Sequence, residues 1–124
     1  MDTLSQRMAR AAFPAVQKRK SEFGEKEFKE YASFAKKFPS LIHTCGLAQA
    51  VAFAEAKKET DYLNDLAEVL KGTQTTGITN PTELAKQSRE QALSGYLRLS
   101  KHALLAAGWL KRYVEALSEK GAEP

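Results

Sequence analysis

Apolar residues recur along most of this chain at the three- and four-residue spacing of an α-helix. Leu4, Met8, Ala11, Ala12 and Ala15 share one side of a first helix over residues 4–20. Pro14 lies inside it, where proline removes a hydrogen bond and crowds the preceding turn, so a kink or a break is expected there. Beyond Gly24, Phe28, Tyr31, Ala32 and Ala35 define a second helix from about Glu25 to Lys37. Phe38-Pro39 is expected to stop it, because the residue before a proline avoids the α region.

A third helix is expected to start at Pro39 and run to about Lys58. Leu41, Ile42, Cys45, Leu47, Ala48, Val51, Ala52 and Phe53 spread over most of its circumference, the pattern of a central helix enclosed by its neighbours. Thr60 then reads as the cap of a fourth helix, with Tyr62, Leu63, Leu66, Val69 and Leu70 inward and Gly72 as its stop. Residues 72–80 show no periodicity and read as a mobile loop. Asn80 is a capping residue, Pro81 suits the first helical position, and Glu83 stands where a capping box needs its carboxylate. A last helix spans about Glu90 to Ser118, with its junction to the short helix before it left open, and Glu119 to Pro124 should fray.

Composition sharpens this into an all-α prediction. Ala and Leu dominate the apolar set while Ile and Val are scarce, which favours helix interiors over pleated strands. A length of 124 residues closes one core, so a single domain over 1–124 is expected. The expected architecture is a compact bundle of about five to seven helices around the apolar 39–58 helix. No run of eighteen apolar residues occurs, and the N-terminal stretch lacks the apolar segment of a signal peptide, so a cytoplasmic location is expected. Cys45 is the only cysteine, and no intramolecular disulfide can form.

Charge changes the picture more than composition does. The net charge is +4, and it is unevenly placed. Residues 1–20 carry Arg7, Arg10, Lys18, Arg19 and Lys20 against Asp2, and residues 98–114 carry Arg98, Lys101, Lys111 and Arg112 with no acid. At 100° per residue Arg98, Lys101, Leu105, Gly108 and Arg112 form one narrow stripe, opposite Ala103, Leu110, Val114 and Leu117. Arg7, Arg10 and Lys18 likewise share one side of the first helix. Two basic faces point to a phosphate backbone contacted without regard to base sequence. Nothing here reads as an aromatic stacking platform, and Trp109 and Tyr113, four apart, read as packing residues.

Chemistry finds little to work with. His43, His102 and Cys45 are the soft ligands and nucleophile partners available, and neither spacing nor a third ligand completes a metal site. Cys45 reads as a small buried apolar residue and His43 as a partly buried polar one. Asp61/Asp65 and Glu25/Glu27 read as solvent-facing charges that keep amphipathic helices soluble. Gly72 and Gly77 lack the flanking strand and the Lys-Ser/Thr of a phosphate loop. No catalytic residue, metal or cofactor is therefore expected, and the chain is expected not to be an enzyme.

Three segments carry a family resemblance. YASFAKKFPSLIHTCGLAQAVAFA (31–54), YLNDL (62–66) and YLRLSKHALLAAGWLKRYVEAL (96–117) resemble the small subunit of the type III-B, or Cmr, CRISPR RNA-silencing complex. FPSLI followed by GLAQAVAF, and the WLKRY of the last helix, are the most specific pieces. The resemblance implies an all-helical subunit without nuclease activity that stacks with copies of itself inside a multi-subunit ribonucleoprotein of antiviral defence. It implies packing against the other Cmr subunits that hold the guide RNA, and a basic face along the target strand. Arg98, Lys101, Lys111 and Arg112, then Arg7, Arg10 and Lys18, are the residues expected to carry RNA contact. The alternative is a helical adaptor that binds only protein, through apolar residues outside the core such as Leu105.

Overall fold

In the computed structural model, which describes residues 2–118, Thr3 opens α1 (Leu4–Glu22) with a reciprocal cap. The Thr3 hydroxyl accepts from the Gln6 backbone N–H at 3.0 Å, and the Gln6 side chain accepts from the Thr3 N–H at 2.9 Å. Two donors that a helix start leaves orphaned are thereby satisfied. The helix runs through Pro14 without the expected break. Phe13 and Pro14 lie on the exposed side while Met8, Ala12 and Val16 are fully buried, so packing of the opposite face carries the helix past the missing N–H.

The middle of the chain departs most from expectation. α2 (Glu25–Cys45) does not stop at Phe38-Pro39 but contains Pro39 and continues to Cys45. Phe34, Phe38 and Ile42 are buried on one face, and the rings of Phe34 and Phe38 lie 5.4 and 5.0 Å from that of Tyr62. Burying each large apolar side chain contributes about 1.5–3 kcal/mol. Together they outweigh the roughly 3 kcal/mol that an internal proline costs.

The helix ends instead at Gly46, with φ 87° and ψ 159°, a region essentially reserved for glycine. α3 (Leu47–Ala56) begins at once. The single central helix expected over 39–58 is thus two helices meeting at an elbow. α3 is not enclosed either, since Ala52, Phe53 and Ala56 are exposed. Its apolar residues covered the whole wheel because the pieces on either side of Gly46 bury different faces. Tyr96, from the last helix, closes the elbow: its hydroxyl accepts from the Ala48 N–H at 3.1 Å, a donor left free by the start of α3.

The enclosed element is α4 (Thr60–Thr73), with eight of its fourteen residues buried and Tyr62, Leu66, Val69 and Leu70 completely so. Its inward set is the expected one, and its ends are not. The capping position is Glu59, one residue before Thr60, and the chain leaves the helix at Gln74 with φ 59°. Gly72 sits inside the last turn, where a Cβ would approach that of Ala11 to 3.1 Å. Glycine there allows α1 and α4 to come close; it does not stop the helix.

The following loop, expected to be mobile, is anchored by the fully buried Ile78 and by the Thr73 and Thr75 hydroxyls 2.9 Å apart. Asn80 caps α5 (Pro81–Glu90) as expected, accepting from the Glu83 N–H at 2.8 Å. The Glu83 carboxylate accepts from Gln87 at 3.2 Å and does not complete a capping box. Gln91 and Ala92 separate α5 from α6 (Leu93–Leu117), which packs on α1 and α2 with α4 also against it. The residues expected to fray, 119–124, lie outside the described ones. The described residues form an all-α bundle of six helices, none of them long and apolar enough to cross a membrane.

Candidate nucleic-acid interface

α6 buries Leu99, Ala103, Ala106, Ala107, Leu110 and Val114 and leaves the opposite side to solvent. Arg98, Lys101, Leu105 and Arg112 are exposed along that side, and Lys111 is half-buried at its margin. From Arg98 to Arg112 the stripe is about 21 Å long at 1.5 Å per residue. Among the described residues no carboxylate forms an ion pair with any of these four cations. Their field is therefore not neutralised by the fold itself and is available to an external anion. Arg98 also borders a small cleft of about 60 Å³ with Thr75, Thr76 and Gln91.

The basic residues of α1 stand differently. Arg7 is half-buried, and its guanidinium donates to the Thr73 carbonyl at 3.1 Å, closing the C-terminal end of α4. Arg10 is exposed and pairs through both terminal nitrogens with Asp2, at 2.5 and 3.3 Å, which holds the Asp2 carboxyl below its usual range. Lys18 is exposed beside a groove of about 1030 Å³ between α1, α4 and the 74–80 loop. That groove mixes signs, with Lys18 and Lys71 facing Glu68. The α1 face is thus partly consumed inside the molecule, whereas the α6 stripe is not.

Asp65 corrects the reading of Asp61/Asp65 as solvent-facing charges. It is 4% exposed, and the Arg19 guanidinium reaches its two oxygens at 2.9 and 3.0 Å. The Tyr31 hydroxyl donates to the same carboxylate, and Arg19 also reaches the exposed Asp61 at 3.7 Å. Burial pushes the Asp65 carboxyl above its ordinary value, against Arg19 and Tyr31, which favour the ionised form. Burial and the facing carboxylate likewise push the Tyr31 hydroxyl far up, so it stays a donor. The signal was present in the spacing: Asp65 lies three residues after Tyr62 and four before Val69, and Arg19 three after Val16, all inward positions.

On the α1–α6 seam, Trp109 and Tyr113 pack against the core, as expected, and stay partly open. Phe13 is 38% exposed and meets Tyr113 edge-on at 5.3 Å. Trp109 is half-buried, stacks on Tyr113 at 5.7 Å, and carries the Arg112 guanidinium over its ring at 5.0 Å. Gly108 lies beside the pair, and a Cβ there would meet an Arg112 nitrogen at 3.4 Å, an ordinary contact.

The soft residues do not assemble. His43 and Cys45 are both exposed near the end of α2, where they were expected to be partly or fully buried, because α2 ends at Gly46 and buries only the face of Phe34, Phe38 and Ile42. His102 is half-buried on α6. Among the described residues no three His, Cys, Asp or Glu side chains stand close enough to hold a metal ion.

Known proteins match this arrangement over nearly its whole length. The family model described as CRISPR-associated protein (Cas_Cmr5) matches residues 4–117. A protein of Thermus thermophilus named CRISPR system Cmr subunit Cmr5 is 39% identical over 123 residues, covering 97% of this chain and 100% of that protein. The X-ray crystal structure of a CRISPR-associated Cmr5 family protein from Thermus thermophilus superposes with a TM-score of 0.83 at 38% identity, covering 95% of this chain and 100% of the other.

Proposed function

The chain belongs to the CRISPR-associated Cmr5 family, and from that membership we propose that it is a non-catalytic structural subunit of a type III-B CRISPR ribonucleoprotein. It stacks with copies of itself and with the other Cmr subunits in the cytoplasm, and its basic helix faces run along the backbone of the target strand. The observation that carries RNA contact is the α6 stripe: Arg98, Lys101 and Arg112 are exposed and, among the described residues, paired with no carboxylate, with Lys111 beside them. On α1, Lys18 adds an accessible cation, Arg10 adds one that a phosphate can draw away from Asp2, and Arg7 adds charge from a fixed position. Contacts of this kind are electrostatic, salt-dependent and tolerant of sequence. No cofactor or metal enters this role.

Filter binding of single-stranded RNA at two salt concentrations tests it. Affinity should fall steeply as salt rises, and Arg98→Glu with Lys101→Glu should weaken binding at low salt. No binding at low salt, or binding indifferent to the double substitution, rejects RNA contact by the isolated subunit. The same substitutions in the assembled complex decide the role there, because several weak sites in a row act together. Normal target binding would leave the stripe as solvated surface.

One observation favours a second, protein-binding role on the same helix. Leu93 and Leu97 are 73% and 58% exposed, one turn apart at the start of α6, and Leu105 is 43% exposed. An apolar pair so placed suits an adaptor contact with a neighbouring subunit.

A further inference from the structure

We propose that Trp109 and Arg112 form a stacking site for an unpaired base of the RNA whose phosphates follow α6; this rests on the RNA contact proposed above. Phosphate contact alone explains Arg98 and Lys101 but not what stands next to them. Trp109 is half-buried, braced by Tyr113, which Phe13 in turn supports from α1, so the indole is held in place from within the fold. Its ring carries the guanidinium of an exposed arginine, 5.0 Å from the ring centre. Aromatic rings and guanidinium planes are the two side-chain surfaces on which single-stranded bases stack.

Charge selects the occupant. The helix carries Arg98, Lys101, Lys111 and Arg112 without an acid between residues 98 and 114, so the approach to Trp109 is cationic and suits a polyanion. An incoming strand exchanges the cation–π contact for two interactions at once. The base takes the indole face, and Arg112 swings to the adjoining phosphate, where a guanidinium binds two oxygens. Stacking uses the face that every base has, so the site accepts any base and adds affinity without sequence preference.

Trp109 is the sole tryptophan, so its fluorescence reports on this site alone. The experiment titrates the full chain at low salt with a short oligoadenylate and with an abasic strand of the same length and charge. Both strands should bind, and the oligoadenylate alone should quench and shift the Trp109 emission. Trp109→Ala should weaken oligoadenylate binding about tenfold, leave the abasic strand unaffected and keep the salt slope. Trp109→Phe should retain most of the affinity, and Arg112→Glu should lower the salt slope for both strands. Binding of both strands with equal emission changes, or with none, overturns the stacking site while leaving phosphate contact intact. Binding of neither strand rejects the RNA reading itself, and the stacking site with it. If Trp109→Ala fails to fold by circular dichroism, the comparison of the two strands on the unaltered chain still decides.

Discussion

Two regions of this molecule handle positive charge in opposite ways. At the α1–α4 seam, Arg19 is drawn into the interior, with 15% of its side chain exposed, and answered by Asp65 and Tyr31. On the outward side of α6, Arg98, Lys101 and Arg112 stay in solvent, and among the described residues no carboxylate answers them; Arg112 alone has an internal contact, over the Trp109 ring. The first arrangement orients two helices; the second leaves a field outside the protein. A basic residue therefore says little about function until its internal partners are known.

The largest effect that would test this contrast comes from Asp65→Ala. Removing one member of a buried pair strands the other, and a loss of about 3 kcal/mol in urea unfolding is expected. The variant that still folds should keep the RNA salt slope of the parent; a changed slope would mean that the two regions are not separate. Gly46→Ala comes next. A side chain at that backbone conformation is strained and meets the Tyr96 hydroxyl at 3.3 Å, so a loss of about 2 kcal/mol is expected.

The mirror-image experiment on α6 combines Arg98→Glu, Lys101→Glu and Arg112→Glu. Thermal and urea unfolding should move by no more than about 1 kcal/mol, the exposed contact of Arg112 on Trp109 being the one described internal interaction removed. The salt slope for single-stranded RNA should fall by about 2, at roughly 0.7 per lost phosphate contact. A large stability loss would show that the stripe has an internal role after all. Leu93→Ser with Leu97→Ser should leave that slope unchanged while reducing co-purification of neighbouring subunits.

The smallest effect is a pH dependence. Burial lifts the Asp65 pKa above its ordinary 3.8, so the folded state holds its proton more tightly than the unfolded chain does. Its titration then favours the fold at low pH and withdraws that increment as pH rises through the raised value. The stability of the parent relative to Asp65→Asn should shrink across that window in paired urea titrations. Growth of the difference would mean that Arg19 and Tyr31 outweigh burial.

Much of the bundle was legible in periodicity: the inward set of α4, the Asn80 cap and the outward stripe of α6 all follow from local spacing. What spacing could not decide was any choice made by a distant partner. Pro39 was expected to end a helix, and Tyr62 on another helix holds Phe34 and Phe38 in place across it. Asp65 was expected in solvent, and its burial depends on Arg19, forty-six residues away. Arg7 looked like a free cation until the Thr73 carbonyl, sixty-six residues on, claimed it. Trp109 and Tyr113 were expected to pack, and they do, but against a partly open Phe13, so their rings stay near the surface.

The partners of α1 carry a consequence for synthesis on the ribosome. This helix packs on α4 and α6, and its aromatic contact joins Phe13 to Tyr113, a hundred residues further along the chain. It is made before both helices and can dock fully only once α6 has emerged. During that wait its buried face has nothing to cover it, and exposed apolar surface of this kind is what chaperones bind and aggregation recruits. The Thr3–Gln6 cap is the one described side-chain cap of α1 that needs no distant residue, and so it can act throughout the interval.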